Sequence, residues 1–279
     1  MQTTETSVTD TRRTAPIVFS AAPLTFGAYC REIISYSWLI WVFATKEIRM
    51  LYVQTYFGLL WSIIRPVMTL LIFTMIFRLF MHVPTRSPYY LFAFTGMIAW
   101  NFFSQISNTA STAILHGEDI FSKLYFPKVI LLLAKIIVSS LEFFISLAML
   151  ILLIIISDTS LSAGLLALPL FLFYNVICGF AIAIWMSVLS ARFHDLTQLM
   201  PVVIGIAIWV TPVFYPADVV PAAYRPLLYL NPMAGVISGY RYALLGDPFP
   251  DFPYFVTMAI VSVVALAGLY LFSHKERAV

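Results

Sequence analysis

The chain has 279 residues, of which 61% are hydrophobic and 10% are charged, and its mean hydropathy is +0.93. A single soluble core could not bury that much apolar surface, so the composition excludes an ordinary soluble domain and indicates a membrane protein. The net charge of +3 is small and forms no basic stripe, which argues against nucleic-acid binding.

The N-terminal part of the chain is polar and rich in threonine. It has no basic region followed by an apolar core and a small-residue cleavage site, so it is not typical of a signal peptide. We predict that residues 1–32 form a disordered cytoplasmic tail.

An apolar run at residues 33–44 comes next, and it is too short to cross a bilayer. Lys46, Glu47 and Arg49 follow at once. Continued as a helix, this stretch would place its apolar side chains on one face, away from Lys46 and Glu47. We therefore predict an interfacial amphipathic helix at residues 33–56, lying along the inner membrane surface. The alternative is a frayed and tilted start of the first membrane span.

Six apolar segments follow, and most reach the roughly 20 residues that a helix needs to cross the hydrocarbon layer. They are residues 57–80, 89–115, 129–156, 165–189, 199–214 and 255–272. Their apolar runs are continuous, which favours helices over the alternating strands of a barrel. The fifth and sixth segments are the shortest, so their bounds are the least certain. The sequence thus predicts an all-α integral membrane protein with a six-span domain at residues 57–279.

Lysine and arginine are distributed unevenly between the two sides of these spans. Ten fall on the side that holds both termini: Arg12, Arg13, Arg31, Lys46, Arg49, Lys123, Lys128, Arg192, Lys275 and Arg277. The connections on the other side hold only Arg86, Arg225 and Arg241. Because cytoplasmic loops carry the excess of positive charge, we predict that both termini are cytoplasmic.

The segment before the last span is unusual in its proline content. Seven prolines lie in it: Pro212, Pro216, Pro221, Pro226, Pro232, Pro248 and Pro250. The apolar stretch at residues 234–245 is too short to span. We predict a re-entrant helical hairpin here, since such backbone is tolerated where protein or a watery cavity covers it. A plain extracytoplasmic loop is the alternative.

Motifs for enzymatic chemistry are absent from the sequence. There is no G-x-x-x-x-G-K-[ST] loop for nucleotide phosphates, no G-x-S-x-G elbow and no paired carboxylate motif. The four histidines are scattered, so no metal site is indicated. We expect a transport protein rather than an enzyme, with no cofactor of its own.

Polar and aromatic residues at membrane depth remain as candidates for function. Lys135 and Glu142 lie seven residues apart in the third segment, and Arg65 lies beside Pro66 in the first. Lys135 and Arg65 could simply extend to the headgroups, or Arg65 could meet a phosphate at the inner mouth of a pathway. Aromatic residues cluster near Trp100 and after residue 211, where they could be membrane-interface anchors or platforms for sugar rings.

Several stretches together resemble one known family. They are KEIRMLYVQTYFGLLWSIIRPVMTLLIFTMIF, PYYLFAFTGMIAWNFFS, GEDIFSKLYFPKVILLL, ARFHDL, WVTPVFYP and YLNPMAGVISGYRYALLG, in that order over about residues 45–272. They look like the permease subunit of ABC type-2 polysaccharide exporters, which move O-antigen, capsule and teichoic-acid chains. Each stretch alone is weak evidence for the family, but their combination in this order is specific to it.

The resemblance implies a homodimer of six-span subunits in the bacterial inner membrane, with two separate ATPase subunits that bind ATP and Mg on the cytoplasmic side. It also implies a channel for a polymer carried on polyprenyl pyrophosphate. Residues expected to couple to the ATPase are Lys46, Glu47, Arg49, Glu118, Asp119 and Lys123. Residues expected along the substrate pathway are Arg65, Trp100, Phe103, Tyr215, Tyr224 and Tyr240. An exporter of a small drug or lipid is the alternative, and a membrane-embedded glycosyltransferase is a more distant one.

Overall fold

The computed structural model describes residues 26–53, 60–79, 85–113, 126–159, 162–190, 193 and 195–275. Within these ranges the secondary structure is helical and contains no strand, which confirms the predicted all-α class. The α-helices are α1 (Phe26–Ser35), α2 (Ser37–Val53), α3 (Trp61–Leu79), α4 (Tyr89–Ala113), α5 (Val129–Ile156), α6 (Leu168–Ser190), α7 (Leu196–Val210), α8 (Arg225–Tyr229), α9 (Pro232–Leu245) and α10 (Phe252–Lys275). A 3₁₀ turn at Ala163–Ala167 leads into α6.

Three helical segments are long and apolar enough to cross a membrane: Val129–Ile156, Ala163–Ser190 and Phe252–His274. In the most apolar stretch of each, only 22%, 28% and 22% of the residues are buried within the chain, so most of this surface must contact lipid or another subunit. Trp61–Ile76 and Leu196–Val210 are apolar but shorter. The chain is therefore an integral membrane protein, and the number of spans remains a prediction.

Helix α4 lies at the centre of the bundle and packs against α3, α5, α6, α7 and α9. Every residue from Leu91 to Trp100 is buried. Because protein surrounds it, α4 tolerates hydroxyl groups that would be costly in lipid. Thr95 and Ser107 each donate a hydrogen bond to the carbonyl four residues earlier, at 2.8 Å.

The bundle has two ends, which we call the α2 end and the hairpin end. At the α2 end, Leu39 of α2 packs with Phe126 and Ile130 at the start of α5. At the hairpin end, Thr257 of α10 donates a hydrogen bond to the carbonyl of Tyr229 in α8, and the Tyr90 hydroxyl lies 2.6 Å from that of Ser157. The start of α4 and the end of α5 are therefore neighbours, as antiparallel helices require.

Helices α1 and α2 correct one predicted boundary. Residues 26–32, assigned to the disordered tail, are helical, and the helix continues after one turn residue into α2. The rest of the tail, and residues 54–56 of the predicted amphipathic helix, lie outside the described residues. Helix α2 leaves Trp38 and Trp41 exposed while it packs on α5. Its position at the membrane surface remains a prediction.

Helix α9 is bounded by strong local signals. The Asn231 side chain accepts a hydrogen bond from the backbone N–H of Met233, and Pro232 follows as the first helical residue. Gly246, with φ of 75°, ends the helix in the left-handed conformation that favours glycine. The 14 residues of α9 reach about 21 Å, too short to cross the bilayer. Two short helices thus lie where a helical hairpin was predicted.

Candidate functional site

A polar cleft of about 280 Å³ lies between α3, α4 and α5. Its polar lining comprises Ser62, Arg65, Thr69, Asn101, Ser104, Gln105, Glu142 and Ser146, and its rings are Trp61, Phe102 and Phe143. Glu142 lies in the middle of α5, the most clearly apolar span. Ionisable side chains at such depth face protein or a water-filled cavity, so the cleft marks a polar region inside the membrane.

Glu142 and Gln105 form the central contact of this cleft. The Gln105 Nε2 atom donates a hydrogen bond to Glu142 Oε2 at 2.5 Å, and both side chains are half-buried. A carboxylate and an amide together offer several acceptor positions beyond this bond. The pair joins α4 to α5 and can also bind a further polar group.

The cleft continues along α4 as a stripe of polar residues. Asn101, Ser104, Gln105, Asn108 and Thr109 recur at helical spacing and are exposed or half-buried. The opposite face of the same turns is buried. This stripe leads from the cleft towards the α2 end.

Arg65, expected on the substrate pathway, lies at the edge of the cleft. Its guanidinium carbon lies 5.8 Å from the ring centroid of Trp61, within cation–π range, and its side chain is exposed. The cleft therefore holds one positive and one negative side chain.

The α2 end contains the ion pair of Lys135 and Glu47, with Lys135 Nζ 2.5 Å from Glu47 Oε1. Both side chains are partly exposed, at 25% and 31%. The pair explains how α5 carries a lysine near its start, because the charge is compensated by α2. Lys46 and Arg49 are exposed. Glu118, Asp119 and Lys123, the other expected coupling residues, lie outside the described residues.

At the hairpin end, Arg241 of α9 is 4% exposed. Its Nη1 and Nη2 atoms donate hydrogen bonds to the carbonyls of Pro212 and Val213, at 2.9 and 2.6 Å. Its guanidinium carbon lies 3.4 Å from the ring centroid of Phe92. Arg241, predicted to be a charge of an outer connection, is instead a buried group that joins α9, α4 and the turn after α7.

Two further contacts hold the turn after α7 against α4. The Tyr89 hydroxyl donates a hydrogen bond to the carbonyl of Phe214 at 3.0 Å. Gly96 lies so close to this turn that an added Cβ would be 2.7 Å from the Val213 carbonyl oxygen. These contacts hold the turn at residues 211–214 against α4. Helix α7 ends at Val210, before the predicted end of the fifth segment at residue 214, because Pro212 disfavours helical backbone at Thr211, which is extended.

A cavity of about 470 Å³ opens beside this contact, lined in part by Arg86, Asp218, Asp247 and Asp251. Burial raises the pKa of Asp247, while Arg241 and Arg86 oppose the rise. The cavity thus contains both signs of charge.

The predicted aromatic residues occupy three different environments. Trp100 and Phe103 are buried and line an apolar groove of about 440 Å³ between α4, α6, α7 and α10. Tyr215 is half-buried, and its hydroxyl donates to the carbonyls of Trp209 and Val210 at the end of α7. Tyr224 is 60% exposed.

Tyr240 is fully enclosed, and Asn175 Nδ2 donates to its hydroxyl at 3.4 Å. The same Asn175 atom donates to the carbonyl of Ala99 at 3.0 Å. Tyr240 was expected along the substrate pathway, and in the structure its ring is enclosed in the core of the subunit.

Gln105, Asn175 and Arg241 are polar residues of these sites that sequence reasoning missed. Gln105 could have been found from the helical spacing of the polar residues on α4. No sequence signal identifies the partners of Asn175 and Arg241, which come from distant parts of the chain.

Residues 39–245 match the family described as ABC-2 type transporter. The chain belongs to this family. The ABC-2 match runs from α2 to α9, so it includes the polar cleft, the ion pair and the hairpin, while all of α1 and all of α10 lie outside it.

Relatives of this ABC-2 chain are named as polysaccharide transport proteins. The O-antigen export system permease protein RfbA of Klebsiella pneumoniae is 26% identical over 234 residues, which cover 82% of this chain and 90% of the relative. A protein of the same name from Myxococcus xanthus is 23% identical, with 85% and 91% covered. The polysialic acid transport protein KpsM of Escherichia coli is 24% identical, with 84% and 92% covered.

Proposed function

We propose that this chain is the membrane subunit of an ATP-driven exporter that moves a lipid-linked polysaccharide of the O-antigen type across the bacterial inner membrane. The observation that carries this proposal is the similarity to polysaccharide export permeases over nearly their full length. The polar cleft at membrane depth supports it, because a hydrophilic polymer needs polar surface inside the bilayer.

The proposed topology has six spans, formed by α3, α4, α5, α6, α7 and α10, with α8 and α9 as a re-entrant hairpin before the last. Both termini and the α2 end are cytoplasmic. The charges of the described residues support this orientation, because Arg31, Lys46, Arg49 and Lys128 lie at the α2 end, whereas Arg86 and Arg225 lie at the hairpin end. In this arrangement, α2 lies along the inner surface and the hairpin faces outwards.

Energy would come from a separate ATPase, since the chain has no phosphate-binding loop. We propose two ATPase subunits, which bind ATP and Mg, on a homodimer of this chain. Their docking surface would comprise Lys46 and Arg49, exposed on α2, and the connection of residues 114–125 with Glu118, Asp119 and Lys123. Through the Lys135–Glu47 pair, movement of α2 would reach α5.

The substrate path would use the groups at different depths. Arg65 would meet the pyrophosphate near the cytoplasmic side, since a guanidinium binds phosphate oxygens in pairs. Tyr215 and Tyr224 would lie at the outer exit, where many weak ring contacts let a chain slide. Trp100 and Phe103 line an apolar groove, which suits the lipid part better than the sugars.

The test is deletion of the gene in its own host, followed by measurement of surface glycan and of lipid-linked glycan on the inner leaflet. We expect surface glycan to be lost and the lipid-linked form to accumulate, and the wild-type gene to restore export. If the chain exported a small drug or lipid, the deletion would leave surface glycan unchanged. If it were a glycosyltransferase, the deletion would abolish glycan synthesis, so that no lipid-linked glycan would accumulate.

A further inference from the structure

The polar cleft between α3, α4 and α5 contains groups of opposite charge in one small volume. The Arg65 guanidinium and the Glu142 carboxylate both line it, together with the Gln105 amide and several hydroxyls. Arg65 is exposed at the edge of the cleft and can meet a phosphate from outside it. Inside the cleft, a phosphate or carboxylate would meet the charge of Glu142, and a cation would meet that of Arg65. A neutral group with many hydroxyls suits both, because each hydroxyl donates and accepts.

The cleft also combines polar groups with rings. Trp61 is 39% exposed beside Arg65, and the buried rings of Phe102 and Phe143, with 4.6 Å between their centroids, also line the cleft. A sugar has a face of C–H groups and an edge of hydroxyls, so it packs on a ring while its edge reaches polar side chains. The arrangement of Trp61, Gln105 and Glu142 offers both contacts.

The size of the cleft selects one sugar unit. Its volume of about 280 Å³ lies just below the roughly 300–1,000 Å³ of small-molecule pockets, so it cannot hold several units at once. Glu142 lies midway along α5, which places the contact near the centre of the membrane. The α4 stripe from Asn101 to Thr109 extends polar surface towards the α2 end.

We propose that this cleft binds a single neutral sugar unit of the exported chain. Glu142 accepts hydrogen bonds from its hydroxyls, and Gln105 holds the carboxylate in position through the 2.5 Å bond to Oε2. This inference rests on the proposed function, since it names the part of the polysaccharide that the subunit contacts. Each subunit then holds its own contact, separate from the outer aromatic residues.

A photo-crosslinking experiment tests the position directly. A benzophenone amino acid replaces Ser104 of α4 or Ser146 of α5, which line the cleft. The control position is Phe144, which is also on α5, is 52% exposed and does not line the cleft. After illumination of cells that synthesise the glycan, we expect adducts that stain for glycan at 104 and 146 but not at 144. The adducts should vanish in a strain that cannot synthesise the glycan.

Two other outcomes would overturn the proposal. Adducts at 104 and 146 that contain only a second copy of this chain would show that the subunit interface seals the cleft. Adducts that contain only lipid would show that the cleft opens to the bilayer. In either case loss of surface glycan on gene deletion would leave the exporter assignment intact, so the two failures are distinguishable.

A pair of substitutions tests the roles of the two residues. Glu142→Gln keeps the shape of the side chain and removes its charge, and Gln105→Leu removes the positioning bond. We expect each to lower the rate of glycan export about tenfold or more, since tenfold is near the lower end of what one hydrogen bond to a charged group gives, at unchanged membrane levels. The matched control is Ser140→Ala on α5, whose hydroxyl bonds the Ile136 carbonyl and does not line the cleft. Export by both variants within twofold of this control would contradict the proposal.

Discussion

Lys135 and Glu142 lie on the same face of α5, seven residues and about 10 Å apart. Lys135 pairs with Glu47 of α2, and Glu142 pairs with Gln105 of α4. One helix therefore joins the proposed docking helix to the polar cleft. A shift of α2 driven by an ATPase would act on α5 through the first pair and reach the cleft through the second.

The first prediction concerns the Lys135–Glu47 pair. Glu47→Lys or Lys135→Glu places like charges together, and we expect each to lower the free energy of unfolding by about 1–3 kcal/mol, between the values for exposed and buried pairs. We expect each single change to lower glycan export as well. The double variant with Glu47→Lys and Lys135→Glu restores opposite charges, so it should recover most of the stability and most of the export. Thermal denaturation of the purified protein and a surface-glycan assay measure both effects. Failure of the double variant to recover either property would show that the pair is not the link.

The second prediction concerns Arg241. Arg241→Met leaves the carbonyls of Pro212 and Val213 without their donor, and we expect a loss of at least about 2 kcal/mol of stability. Arg241→Lys should recover only part, because one ammonium cannot bridge both carbonyls and stack on Phe92. Melting temperature and protease cleavage within residues 211–252 report the loosening.

The control for Arg241 is Arg225→Lys, because Arg225 also donates to backbone carbonyls but is exposed. We expect this change to cost no more than about 0.5 kcal/mol. Equal losses at both positions would mean that burial of Arg241 contributes nothing to the hairpin.

Local features of the fold could be predicted from the sequence, and long-range contacts could not. Helix α5 begins and ends at the predicted residues 129 and 156, because the apolar run starts after Pro127 and stops before Asp158. The end of α9 at Gly246 is likewise a local signal. Arg241, by contrast, bonds to carbonyls 28 and 29 residues away, and hydrophobic periodicity carries no information about which distant groups meet.

The same limit explains why the sequence indicated the charged residues of the candidate site but not their partners. Glu142 was recognised as a costly charge, but its partner Gln105 is 37 residues away on another helix. Lys135 was expected to extend to the headgroups, and instead it pairs with Glu47, which is 88 residues away. The sequence thus indicates which groups need a partner inside the membrane, and only the packing of α2, α4 and α5 identifies it.

The third prediction separates two tyrosines that the sequence analysis placed together. Tyr224→Ala removes an exposed ring, so we expect normal stability and a mild loss of export, since a sliding chain shares its contacts among many rings. Tyr240→Ala removes an enclosed ring, and we expect a loss of about 3–5 kcal/mol of stability. Thermal denaturation and surface-glycan measurements on both variants distinguish these roles. A Tyr224 variant that is as unstable as the Tyr240 variant would contradict the distinction.

The last prediction concerns Glu118 and Asp119, which lie in the connection between α4 and α5, outside the described residues. Two adjacent carboxylates could pair with arginines of the ATPase subunit, or they could simply begin a short helix by favouring its N-terminal dipole. Replacing both by lysine should, if they couple, lower export and uncouple ATP hydrolysis while the protein still inserts into the membrane. Replacing both by asparagine keeps the capping ability and removes the charge, so it separates the two roles.

If Glu118 and Asp119 pair with arginines of the ATPase, the asparagine variant should bind the ATPase more weakly than the wild type. This difference in binding should shrink as the salt concentration rises, because salt screens the ion pairs of the wild type. The measurement is co-purification of the ATPase and glycan export over a range of salt concentrations. If the asparagine variant binds the ATPase and exports like the wild type at physiological salt, the two carboxylates only start the helix. Of the residues proposed for the docking surface that the structure describes, the exposed Lys46 and Arg49 on α2 would then remain as candidates.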